Sequence, residues 1–478
     1  MIQNYLKLAL RNLLKDRGYT ILNVLGLTVG ITFSLLLILY VSDELSFDRY
    51  HEKADRVVRV GSHVKETENE FIWASSQLGA ADALKNDYPK EVEETVRILG
   101  MGNVEFHNGE KRFMEKRFYF SGEKVFDIFT LPLLEGDPNT ALTEPNSIVL
   151  SKSVAEKYLG AGGGYLGKTI QNSANENWKV TGIMRDMPAN SHILFDALMS
   201  DHEIRKQVAA NPDNWGQFNA FSYALLRPGV DPAAFESRIG EMYEKYIATI
   251  FKPLNIKINY MVQPIVGIHL HSGVTEEPEP AGSLAYVRIL GLTALFLVLL
   301  ACINYINLAT ARATRRAREV GVRKAMGSSR GMLAAQFLTE SALLALFSGT
   351  VAVTLAWLLV PVFNQIAGKE LTAEALFRPQ ILGGLGVMLI LAGLVGGAYP
   401  AFVLSGFKPV AVLKGNTSFA GSNSALGGKG GGGMLRKGLV VVQFAVSLLM
   451  LVATGVIYDQ LMFLKNKELG FRKEQVLV

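Results

Sequence analysis

YVRILGLTALFLVLLACINYINLATARATRRAREVGVRKAMG, residues 286–327, joins two opposed chemistries without a break. The first part, Tyr286–Leu308, is apolar and reaches the roughly 20 helical residues needed to cross ~30 Å of hydrocarbon. The second part carries Arg312, Arg315, Arg316, Arg318, Arg323 and Lys324 against Glu319. Short basic segments resist translocation, so an apolar run ending in such a cluster is a spanning helix whose end faces the cytoplasm.

Four more runs share the apolar character. They are Ile21–Val41, Ser341–Phe363 within a segment 337–363, Ile381–Leu404 and Gly438–Tyr458. Mean hydropathy is +0.22 over 478 residues, and 49% of residues are hydrophobic. The formal net charge of +5 conceals an asymmetry. Residues 43–283 hold 25 Lys and Arg against 35 Asp and Glu, a net of −10. Segments 1–20, 309–336 and 405–438 carry +3, +6 and +5. Alternating the five runs from a cytoplasmic N-terminus places all three basic segments on one side. The basic pI is therefore a topology signal, and a nucleic-acid-binding reading is excluded.

The expected fold is a membrane α-helical bundle of about five spanning helices, at 21–41, 286–308, 337–363, 381–404 and 438–458. A large α+β extracytoplasmic domain, 42–285, is inserted between helices one and two. Helix-like Lys152–Leu159 and Pro232–Ile247 alternate there with strand-like Arg56–His63, Ser147–Leu150 and Trp178–Ile183. The first run is too long for a signal h-region and lacks a small-x-small cleavage site, so it reads as a retained anchor. Before it, Ile2, Leu6, Ala9, Leu10 and Leu13 recur at helical spacing over residues 1–20, as in a helix lying in the cytoplasmic headgroup layer or, alternatively, a cytoplasmic extension of the spanning helix. The glycine-rich stretch in 405–437 reads as a flexible linker. Beyond it, Leu435-Arg436 echoes Leu10-Arg11, and Glu468-Leu469-Gly470-Phe471 echoes Glu44-Leu45-Ser46-Phe47. The C-terminal end, 438–478, thus reads as the start of a second repeat, with 459–478 opening a second external domain and the chain a fragment of a longer one.

Gly162-Gly163-Gly164-Tyr165-Leu166-Gly167-Lys168-Thr169 satisfies the phosphate-loop pattern G-x-x-x-x-G-K-[ST]. That loop needs a buried strand before it and a helix after it, to aim amides and helix dipole at phosphate. Here a helix-like segment precedes and a hairpin follows, so a nucleotide site is rejected. His269 and His271 would share a face on a strand, yet no third ligand accompanies them. Cys302 reads as a core residue, Asn304 and Asn307 as packing polar groups, and Glu340, at the start of the third span, as a group within reach of the interface. No catalytic, cofactor-binding or metal residues are assigned.

Arg318-Glu319-Val320-Gly321-Val322-Arg323-Lys324-Ala325-Met326-Gly327, followed by Gln336-Phe337-Leu338-Thr339-Glu340, resembles the coupling segment of the FtsX/MacB superfamily of ABC-transporter permeases. Tyr399-Pro400-Ala401, Lys408-Pro409 and Leu413-Lys414-Gly415 share the resemblance. In the external domain so do Val180-Thr181-Gly182-Ile183, Met187-Pro188-Ala189-Asn190-Ser191-His192 and Ile268-His269-Leu270-His271-Ser272, which are similar to the MacB-like periplasmic core domain. The resemblance implies a non-catalytic permease in a bacterial inner membrane, forming homo- or heterodimers. An ABC ATPase subunit, binding ATP and Mg on its own chain, would dock through Arg315, Arg316, Arg318, Glu319, Gly321, Arg323, Lys324 and Gly327. It implies export or mechanical transmission to the periplasm, acting on a protein, peptide or small-molecule substrate, with membrane lipid as the other partner. A sensor whose external domain binds a ligand is the alternative.

Overall fold

The computed structural model describes residues 2–211, 215–311, 320–405 and 431–466. The chain forms two units, one of Met1–Val41 with Arg288–Val478 and one of Ser42–Val287. The second matches the inserted domain expected at 42–285.

In the first unit, four helices among the described residues are long and apolar enough to cross a membrane: Arg17–Glu44, Leu284–Ala311, Arg330–Ala367 and Lys437–Gln460. The remaining expected run falls on helix Pro379–Ser405, within which Pro379–Leu394 is a shorter apolar stretch. Every expected run lies inside its helix, and the helices outrun the runs at both ends because their polar terminal turns carry no hydropathy signal. Leu27, Ile31 and Leu35, one turn apart on the first spanning helix, belong to one apolar cluster with Val298, Ala301 and Cys302 of the second. Gly30 brings the two backbones together: a Cβ there would lie 2.7 Å from that of Ala301. With lipid as apolar as any side chain, such close approach and interhelical hydrogen bonds hold spans together. Thr28 and Thr32 donate to the carbonyls of Ser348 and Ala352, each at 3.3 Å, and Ser34 to Ala294 at 2.9 Å. Within residues 1–20 the chain forms helix Ile2–Lys15, with Ala9 fully buried and Lys7, Arg11 and Lys15 exposed.

The second unit is built on one mixed sheet of 13 strands among the described residues. Its hydrogen-bonded path runs Lys257–Pro264, Val57–Lys65, Phe221–Leu226, Val92–Gly100, Phe118–Ser121, Ala197–Ser200, Ser147–Ser151, Asn177–Met184, Thr169–Asn172, Val104–Asn108, Lys111–Glu115, and off it Glu70–Trp73 pairs with Val57–Lys65 and Leu133–Glu135 with Asn177–Met184. Pairing is antiparallel except between Ser147–Ser151 and Asn177–Met184 and between Phe118–Ser121 and Ala197–Ser200. Ser147–Ser151 is buried on both faces and feeds straight into helix Lys152–Leu159. The switch is local: the Ser151 hydroxyl accepts from Val154 N as an N-cap, and Gly160 at φ 83 ends the helix. Asp231 caps helix Pro232–Ile239 in the same way, with proline at its first position. The helical stretch expected to continue to Ile247 is interrupted after Ile239 and resumes as a π turn at Tyr243–Ile247.

Candidate functional site

Of the expected coupling residues, Arg315, Arg316, Arg318 and Glu319 lie outside the described residues. Gly321, Arg323, Lys324 and Gly327 lie in a helix over 320–325 and the turn after it. Gly327, at φ +97, lets the chain reverse. Ser328 N donates to Arg323 O at 3.0 Å, closing the helix end across five residues. Ser329 then accepts from Met332 N and caps helix Arg330–Ala367. Two helices are thus joined by a turn in which both ends are capped.

That turn sorts its side chains. Val320 and Gly321 are buried, whereas Val322 is 43% exposed and Met326 76%. Val322 and Met326 stand one helical turn apart, a two-residue apolar face on a basic segment. Arg323 Nη1 donates to Gln336 Oε1 at 2.7 Å. Desolvation, with the nearby charge of Arg330, holds the Lys324 ammonium below the usual lysine range.

Gln336 opens a buried polar tract on helix Arg330–Ala367. Gln336, Glu340 and Ser341 are all nearly inaccessible. The Ser341 hydroxyl lies 2.7 Å from that of Tyr305 on the second spanning helix. Glu340, expected at the start of its span and within reach of the interface, is ten positions inside the helix and buried, because the helix begins at Arg330. Asn307 donates to Gln443 at 3.1 Å, the interhelical bond expected of such a residue. No sequence spacing picks out Gln336; its signal is a polar residue one turn before Glu340 on an otherwise apolar face.

A second constellation lies in the external domain, where the chain comes in at Ser42–Asp48. Asp48, at φ +60 and fully buried, accepts from Ser191 Oγ at 2.9 Å and from His192 N at 3.1 Å, with His192 Nδ1 2.9 Å away. Burial acts to raise the Asp48 carboxyl, but the charge and hydrogen bonds of His192, with Ser191, outweigh it and hold the group below its ordinary value. Asn190 donates to Ser46 Oγ at 2.9 Å. Four residues earlier, Glu44 Oε2 sits 3.0 Å from His269 Nε2, and the Phe47 ring stacks on that imidazole at 3.4 Å. The outgoing chain meets the same histidine, since Gly282 N donates to His269 O at 2.8 Å. The motifs Met187–His192 and Ile268–Ser272 therefore fasten the segment that follows the first helix. His269 and His271, which would share a face on a strand, lie on helix Ile265–His271, where residues two apart diverge. Pro264 ends the preceding strand and starts that helix. Among the described residues no three His, Cys, Asp or Glu side chains could hold a metal.

The phosphate-loop look-alike has a concrete occupant. Gly164 N and Tyr165 N donate to the two oxygens of Glu135, at 3.3 and 3.2 Å. The protein's own carboxylate takes the place an anion would have, and strand Thr169–Asn172, not a helix, follows.

Residues 20–242 match the family model for the MacB-like periplasmic core domain, and residues 291–409 that for the FtsX-like permease C-terminal region. The chain is 30% identical over 126 residues to the uncharacterized ABC transporter permease YknZ of Bacillus subtilis, covering 26% of this chain and 31% of that protein. It is 24% identical over 340 residues to the pyoverdine export ATP-binding/permease protein PvdT of Pseudomonas putida, covering 68% of this chain and 46% of that one. The chain thus spans a third to a half of the length of these curated relatives. Among solved structures, a domain of a permease protein from Porphyromonas gingivalis aligns at a TM-score of 0.40 and 24% identity, over 45% of this chain and 91% of that one. The first family match takes in the first helix and most of the inserted domain, the second the helices after it, and relatives of the chain are named ABC transporter permeases; the chain belongs to the FtsX/MacB-like permease family.

Proposed function

We propose that this chain is the transmembrane subunit of an ATP-driven transporter, worked by an ABC ATPase on a separate polypeptide that docks on 315–327. Family membership supports the permease role. The observation that carries the docking site is the capped helix and turn at 320–327, which presents Val322 and Met326 outward and fixes Arg323 from behind. A small apolar face ringed by cations fits a cleft whose rim is acidic, and the buried half of the segment ties it to the membrane helices. In this reading five helices span a bacterial inner membrane, the external domain stands in the periplasm, and ATP and Mg bind to the partner alone. The work done is export or mechanical transmission to the external domain, by a pair of such permeases in a lipid bilayer.

The test is co-purification from native membranes, comparing wild type with a Val322→Asp/Met326→Asp variant. Mass spectrometry would identify partners, and phosphate release would report ATPase activity. The expected outcome is a phosphate-loop ATPase retained by wild type and lost by the variant. If wild type captures none, the transporter reading falls, and a sensor with a ligand-binding external domain takes its place.

A further inference from the structure

Between Gln336 and Ser341, under two turns of helix Arg330–Ala367, three buried polar side chains lie together, and the two at either end touch three other parts of the first unit. Gln336 Oε1 accepts from Arg323 of the 320–327 segment at 2.7 Å. Ser341 Oγ meets Tyr305 Oη of the second spanning helix at 2.7 Å. The Tyr305 ring in turn lies on helix Pro379–Ser405 at Gly396, where a Cβ would stand 1.9 Å from ring carbon Cδ1. Ser341 lies against that helix as well, 3.0 Å from where a Gly397 Cβ would be. Glu340 occupies the same buried face one turn beyond Gln336. Buried polar groups in an apolar bundle are costly unless they are hydrogen-bonded, and Gln336 and Ser341 are so held by Arg323 and Tyr305. With glycine at 396 the Tyr305 ring lies directly on the backbone of that helix, so a shift of the ring toward it would press on the helix.

We propose that Gln336 is a positioning residue for coupling, and that Arg323, Gln336, Ser341 and Tyr305 form a relay carrying displacement of the docked segment into the second and fourth spanning helices. This rests on the docking reading above and adds to it the route by which motion enters the membrane. The task needs an acceptor for the guanidinium, which the Gln336 amide oxygen supplies and a carboxylate at that position would also supply.

Cys302, the single cysteine of the chain, offers a native probe. It is buried, one turn from Tyr305 and in the same apolar cluster. The wild-type complex with its co-purified ATPase would be placed in nanodiscs, and the rate of Cys302 labelling by a membrane-permeant maleimide measured with and without ATP and vanadate. In wild type, nucleotide trapping is expected to change the rate. Gln336→Leu is expected to retain the ATPase and lose that change, and Gln336→Glu, which keeps an acceptor for Arg323, to recover it. Melting midpoints of the three proteins would separate loss of coupling from loss of fold. The relay is overturned if Gln336→Leu keeps both the ATPase and the wild-type response, or if Gln336→Glu fails to restore it. It is equally overturned if Gln336→Leu sheds the ATPase, since Gln336 would then act in docking, or if wild type with its ATPase shows no response. Absence of any ATPase from wild type is a different result, which removes the docking reading and the relay with it.

Discussion

Single side chains in the external domain set its response to acid. His51 is 3% exposed, with Nδ1 accepting from Thr130 N at 3.0 Å. Burial lowers its pKa from 6.5 to about 4, against the pull of Asp48. Between those values the unfolded chain binds the proton and the folded one does not. Stability conferred by the neutral imidazole is therefore full above pH 6.5 and is lost as pH falls toward 4, by about 3 kcal/mol at most. Asp48, held low, continues the loss in more acidic solution. The expected result is a fall in urea midpoint of the detergent-solubilised chain between pH 6.5 and 4, read by tryptophan fluorescence, and a flatter profile in His51→Gln. Three of the four tryptophans, Trp73, Trp178 and Trp215, belong to this domain, so the signal reports it. Gly282 makes a second residue-scale prediction. A Cβ there would lie 2.5 Å from both Glu44 Oε2 and His269 Nε2. Gly282→Ala should lower the same midpoint by an amount on the order of 1–3 kcal/mol, the usual cost of overpacking; an unchanged midpoint would show that the pair yields freely.

Among the elements, those specified by local chemistry were legible in sequence and those specified by distant partners were not. Helix Lys152–Leu159 was readable to the residue because Ser151 and Gly160 bound it. The spanning helices were readable from hydropathy alone. Ile265–His271 misleads, since apolar and histidine positions alternate with a strand-like period while its conformation is decided by Pro264 and by contacts to Glu44 and Phe47. Half of the candidate site was readable as a basic segment with a glycine stop; Gln336 was readable only as part of a motif, and its bond was not, because that depends on a guanidinium thirteen positions earlier. At this scale two outcomes are expected. Gly30→Val would push the first two spanning helices apart, costing roughly 1–3 kcal/mol and lowering the melting midpoint in detergent. Gly327→Val would strain the turn at φ +97 by roughly 1–3 kcal/mol and weaken ATPase capture more than it lowers that midpoint.

In the molecule as a whole, charge and hydropathy divide along the same line as the two units. The acidic residues 43–283 fall in the unit Ser42–Val287, which has its own sheet and its own apolar clusters. An excised 42–287 fragment is expected to be monomeric and to unfold cooperatively in urea; a fragment that aggregates or melts without a transition would show that it depends on the helices. Glu44 and Gly282 both reach His269, so the two ends of this body are adjacent. A body whose ends meet is a cassette. It could be lifted out and closed by a short linker, recut into a circular permutant, or exchanged for another domain with equally close ends, while the helices on either side keep their spacing.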